Sequence, residues 1–107
     1  MIAVKNLFLA TGLVLGAWNA GAQPIASSPA HTRALAASCA ACHGTDGRAA
    51  EGSAVPGLAG VPKATLIAQM NAFKDGSRPA TIMHQLSKGY TDEQINLLGD
   101  YFAAVKR

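Results

Sequence analysis

Cys39-Ala40-Ala41-Cys42-His43 places two thiols and an imidazole within five consecutive residues. A spacing of three puts both sulfurs on one side of a helical turn, with the ring next in line. C-x-x-C-H is the attachment pattern of a c-type haem. The two thiols add across the haem vinyl groups and become thioethers, and His43 can then bring a ring nitrogen under the iron as the proximal ligand. Other chemistries fit these residues less well. A zinc site usually wants four Cys or His ligands in spaced pairs. This chain has two cysteines, both here, and its other histidines are His31 and His84. A dithiol redox motif needs a βαβ setting, and no strand pattern flanks the motif. A plain disulfide would leave His43 without a role.

The second axial position of the iron has five candidate outcomes: Met70, Met83, His84, His31 or an open site. Met70 falls inside a regular amphipathic stripe, which reads as core. Met83 ends the run Gly76–Met83 (GSRPATIM) and lies forty residues after His43. A ligand on the opposite face of the ring must come from such a distant segment. His84 adjoins Met83, so one of the two points at iron. Met83 is favoured, with Met70, His84 and an open site as the alternatives. A thioether opposite an imidazole favours ferrous iron and raises the reduction potential. It also fills the coordination sphere, so the protein moves electrons and does no bond chemistry. A metal-bound imidazole usually donates its other N–H to a fixed acceptor. The backbone carbonyl of Pro56, in Val55-Pro56-Gly57-Leu58, is a reasonable one; the other reading is that Pro56 only shapes the loop.

Helices must position these groups. His31 to about Ala41 reads as helical, with Leu35, Cys39 and Cys42 on one face. Gly44–Gly60 (GTDGRAAEGSAVPGLAG) is crowded with glycine and reads as an irregular loop around the haem edge. Pro62 suits the first position of a helix that runs to about Lys74, with Leu66, Ile67, Met70 and Phe73 as its apolar stripe. Asp75-Gly76 ends it, Ser77-Arg78-Pro79 is a turn, and a short helix follows from about Ala80 to Ser87. Thr91-Asp92-Glu93-Gln94 has the spacing of a capping box. The last helix then carries Ile95, Leu98, Tyr101, Phe102 and Val105 on one side. No repeats or strands are legible. The expected architecture is a small all-α domain of about four helices wrapped around one haem.

Residues 1–22 read as a cleaved secretory signal: Lys5, an apolar stretch from Leu7 to Ala17, and Ala20-Gly21-Ala22 as the small-residue cleavage site. The apolar stretch is too short to span a bilayer. Export suits c-type haem, which is attached outside the bacterial cytoplasm, so a periplasmic location is expected, with no stable membrane insertion after cleavage. Residues 23–30 (QPIASSPA) read as a flexible mature N-terminus, and residues 31–107 as the folded domain. The whole chain of 107 residues carries a net charge of +3. Removing residues 1–22 leaves eight basic against six acidic residues, or +2. No basic run interleaves with aromatics, so nucleic acid is not an expected partner. A domain this small buries a modest core and often needs a staple; the covalently held haem would be that staple.

At this point the chain resembles a class I monohaem cytochrome c over residues 31–107. Ser38–Arg48 (SCAACHGTDGR) is similar to the haem-attachment segment of that class. Val55–Gly60 (VPGLAG) resembles its proline loop, which makes Pro56 the acceptor for His43. Phe73–Ala103 resembles its methionine loop and C-terminal helix, which gives Met83 the ligand role. Within the class, Phe73–Ala103 resembles the cytochrome subunits of flavocytochrome c sulfide dehydrogenases and the cytochromes with two similar haem domains. The chain departs from the latter in having one haem motif. Its N-terminal helix also lacks their glycine-then-aromatic pair, so Leu35 is expected against Tyr101 instead.

The resemblance implies one covalently bound haem c and an electron-transfer protein that is not an enzyme by itself. Its partners would be redox proteins. One version accepts electrons from a sulfide-oxidising flavoprotein subunit and passes them to another carrier. A second is a free soluble shuttle between respiratory complexes, for which Lys63, Lys74, Arg78 and Lys88 would make a charged docking rim. An open-site haem sensor or enzyme is the third.

Overall fold

The computed structural model describes residues 28–107. The expected export signal over residues 1–22 and most of the 23–30 segment lie outside the described residues. Five α-helices follow one another: α1 (Pro29–Ala37), α2 (Ala40–His43), α3 (Lys63–Asp75), α4 (Met83–Leu86) and α5 (Asp92–Ala104). Two 3-10 turns, Thr45–Gly47 and Ser87–Gly89, follow α2 and α4, and there is no strand among the described residues.

α1 starts two residues ahead of the expected His31. The Ser28 hydroxyl accepts from the His31 N–H at 3.1 Å, and Pro29 sits in the first turn, where its missing N–H costs nothing. The helix expected to continue to Ala41 is interrupted at Ser38. There the Ser38 hydroxyl donates to the Leu35 carbonyl at 2.7 Å, a side chain competing with the backbone ladder. α2 is therefore a separate turn that carries the cysteine pair and His43 in its own direction.

Pro62 takes the position just outside α3, with φ −55° and ψ 137°. The helix expected over 80–87 is shorter: the β-branched pair Thr81 and Ile82 lowers helix propensity ahead of it, Ile82 is outside helical geometry at φ −137°, and α4 begins at Met83 and gives way to the second 3-10 turn at Ser87. α5 opens on a complete capping box: Thr91 Oγ1 accepts from the Gln94 N–H at 3.1 Å, and Gln94 Oε1 accepts from the Thr91 N–H at 2.9 Å.

α5 crosses α1 and α3 to make the core. Leu66 and Met70 of α3 and Ala36 of α1 bury against Ile95, Leu98 and Phe102 of α5. Ile67, Phe73, Tyr101 and Val105, on the expected stripes, are half-buried. Gly99 lets the α3 and α5 backbones approach, since a Cβ there would stand 3.0 Å from Lys63 Cγ. Leu35 and Tyr101 both pack on the edge of this core, and the Tyr101 ring meets Phe102 edge-on with centroids 5.2 Å apart.

Candidate haem site

A cleft of about 430 Å³ opens beside the core. Its lining includes Cys39, Cys42, His43, Pro56, Met70 and Met83. The lining is mainly apolar, with Leu66, Leu98 and Phe102 forming its floor from the core side. A second hollow of about 680 Å³, lined by Pro29, Ala30, Thr32, Arg33, Asp100 and Tyr101, contains neither thiol nor imidazole.

Each site residue is positioned by a local device. Cys39 caps the N-terminus of α2, and its carbonyl accepts from the His43 N–H at 2.9 Å. Cys42 is exposed and Cys39 half-buried. Burial pushes the Cys39 thiol up from its ordinary range, against the lowering pull of the Ser38 and Tyr90 hydroxyls. The chain leaves α2 through Gly44 at φ +82°, where a Cβ would collide with the Arg48 carbonyl. Only glycine makes that turn freely, and it folds the following loop back alongside His43.

His43 is buried, with 9% of its surface exposed. Its Nδ1–H donates to the Pro56 carbonyl at 2.6 Å. That bond fixes the tautomer and leaves Nε2 as the nitrogen available to a metal. The loop holding Pro56 is itself fastened, since the Leu58 and Ala59 N–H groups both donate to the Gly47 carbonyl, at 2.7 and 3.1 Å.

Met83 begins α4 and is half-buried at the edge of the core. Met70 also lines the cleft but belongs to the buried core. His84 does not line the cleft; its Nδ1 is buried without a hydrogen-bond partner. His31 lies in the first turn of α1, away from the cleft lining. Of the candidates for the second axial ligand, the cleft therefore brings together Met70 and Met83 and leaves out both histidines.

Ser38, Ser87 and Tyr90 were not legible as site residues, and Lys74 was legible only as part of a docking rim. Tyr90 lines the cleft, and its hydroxyl lies 2.8 Å from Ser38 Oγ. Lys74 Nζ donates to the Tyr90 carbonyl at 2.8 Å. Ser87 is fully buried and donates to the Met83 carbonyl at 2.7 Å. These are small or ordinary polar residues with no spacing rule, so only the fold reveals that they meet.

A paired-thiol turn beside a fixed imidazole, facing an apolar cleft in a small helical domain, defines a covalent haem protein of the cytochrome c kind. The family model for cytochrome c matches residues 30–106, and the chain belongs to that family. It is 35% identical to the cytochrome subunit of sulfide dehydrogenase of Chlorobaculum tepidum, over 100% of this chain and 97% of that protein. It is 37% identical to the thiosulfate dehydrogenase electron acceptor of Thiomonas intermedia, over 66% of this chain and 33% of that protein. It is also 35% identical to cytochrome c4 of Pseudomonas aeruginosa, over 94% of this chain and 47% of that protein. The chain thus spans nearly all of the first relative and half or less of the other two.

One family match and one cysteine pair correspond to one covalently attached haem c. The site suits that group: two thiols, an oriented imidazole and a thioether border one mainly apolar cleft. The chain is an electron-transfer protein, as its relatives are cytochromes or cytochrome subunits.

Proposed function

We propose that this chain is the haem-bearing subunit of a periplasmic sulfide-oxidising flavoprotein complex. It accepts electrons from the flavoprotein and passes them to another carrier. Cys39 and Cys42 hold the haem as thioethers. His43, oriented by Pro56, and Met83 would supply the iron ligands. When bound, the haem supplies one-electron chemistry; the chain fixes the imidazole, provides the thioether and keeps water from the apolar side of the ring. The observation that carries the partner is the match over nearly the full length of both chains to a sulfide dehydrogenase cytochrome subunit.

Ile82 and Leu86 are 56% and 46% exposed and line the cleft itself, where the haem would lie against them. Of the basic residues expected to form a rim, Lys63 pairs with Asp100 at 2.8 Å and Lys74 with Asp92 at 3.0 Å. Arg78 lies over the Phe73 ring, 4.8 Å from its centroid. Three of the four rim cations are thus engaged within the chain.

The test is made on native protein purified from periplasm at mild salt and followed by haem absorbance. Co-elution of flavin, with haem reduction on adding sulfide, is expected. A flavin-free haem protein that sulfide does not reduce, at every salt concentration tried, would refute the subunit reading and leave the free shuttle.

A further inference from the structure

We propose that Tyr90 and Ser38 form a latch that keeps the Met83 segment closed over the haem, making Tyr90 a positioning residue for the iron; this rests on Met83 being the second axial ligand. The segment from Met83 to Tyr90 is bonded into a single unit. The Ser87 hydroxyl, wholly buried, donates to the Met83 carbonyl at 2.7 Å, and the Tyr90 N–H donates to the Ser87 carbonyl at 3.2 Å. Displacing Tyr90 therefore displaces Met83.

Two side-chain ties hold this unit. On one side Lys74, at the end of α3, donates to the Tyr90 carbonyl at 2.8 Å and to Asp92 at 3.0 Å. On the other, Tyr90 and Ser38 meet at 2.8 Å across 52 residues of chain. A serine hydroxyl has one proton. Ser38 spends its proton on the Leu35 carbonyl at 2.7 Å, so Tyr90 is the donor and Ser38 the acceptor. Ser38 precedes Cys39, one of the two haem-anchoring thiols. The latch therefore joins the segment that carries the methionine to the residue next to the covalent anchor.

α4 needs such a fastening. It has four residues and no side-chain cap, and a helix that short has no stability of its own. For Met83 to leave the iron, the segment must swing away from the ring, and the Tyr90–Ser38 bond must break. A hydrogen bond of ordinary net strength shifts such an opening equilibrium about fivefold.

The experiment measures binding of imidazole to the ferric holoprotein, read from the haem absorbance, since imidazole can enter only where Met83 has left. Tyr90→Phe keeps the ring that lines the cleft and removes the donor; Ser38→Ala removes the acceptor together with the hydroxyl bonded to Leu35, so Tyr90→Phe is the decisive variant. Each is expected to raise imidazole affinity about fivefold, and the double variant no further than either alone. Tyr101→Phe, which deletes a hydroxyl bonded to Asp46 outside the cleft lining, is expected to leave imidazole affinity unchanged. Wild-type affinity in Tyr90→Phe would overturn the latch, as would effects that multiply in the double variant or an equal rise in Tyr101→Phe. Met83→Ala separates the two readings. If it opens the iron while Tyr90→Phe is silent, the ligand stands and the latch falls; if it leaves the spectrum unchanged, both fall.

Discussion

Met70 and Met83 both reach the cleft, yet their surroundings assign them different work. Met70 is locked among Leu66, Ile95, Leu98 and Phe102, where removing its side chain would leave a void. Met83 sits at the rim on a short helix. Met83→Ala should therefore leave the fold standing and change the iron: the ferric spectrum becomes that of an open site, the ferrous form binds carbon monoxide without unfolding, and the potential falls. An unchanged spectrum and potential would show that the ligand is another residue. A second residue-level expectation concerns Tyr101. Its hydroxyl donates to Asp46 at 2.6 Å, and that hydrogen bond holds the phenol above its ordinary value of 10.0, outweighing the opposite pull of Arg33. A group whose folded pKa is raised contributes stability at neutral pH that is lost as pH climbs through the folded value. Comparing thermal midpoints of wild type and Tyr101→Phe across the alkaline range should show the wild-type advantage fading there; a constant difference would mean the phenol proton is not involved.

α5 shows how much an element can announce in advance. Its capping box at Thr91–Gln94 and its stripe of Ile95, Leu98 and Phe102 were readable because both obey fixed spacings, and the three apolar residues are each 1% exposed. Thr91→Ala should destabilise the holoprotein by about 1 kcal/mol, measured by denaturant unfolding, since Gln94 loses the acceptor for its N–H. No measurable change would mean the last helix is held by packing alone. The break in the first helix was not legible. It depends on one serine hydroxyl choosing the Leu35 carbonyl, a competition that composition does not decide. The short α4 was expected within Ala80–Ser87, but its start was not: the β-branched Thr81 and Ile82 stay outside the helix, which begins at Met83. The cysteine pair, His43 and the two methionines were visible because their chemistry is rare. The Ser38–Tyr90 contact was hidden because it joins common residues far apart in sequence.

At the scale of the whole molecule, the protein's own core is small. Among the described residues, seven apolar ones are buried: Ala36, Ala59, Leu66, Met70, Ile95, Leu98 and Phe102. Two of the seven are alanines, and Leu66, Met70, Leu98 and Phe102 also face the cleft, so the ring completes their packing. A chain that cannot capture haem, Cys39→Ala with Cys42→Ala, should lose most of its helical circular dichroism, because so small a core does not offset the entropy of folding. Retention of the full helical signal would show that the polypeptide alone is sufficient. The distribution of the site along the chain also sets an order of assembly. The two thiols and the imidazole are neighbours on a single turn, α2, so capturing the ring requires no closed loop. The methionine and the Tyr90 tie require bringing together residues about forty or more positions apart, which costs loop-closure entropy and must wait for the C-terminal half. Biosynthesis can thus write the covalent bond first on an unfolded chain and let the bound ring template the rest. A chain ending at Gly60 is expected still to acquire covalently bound haem when produced alongside a haem-attachment system.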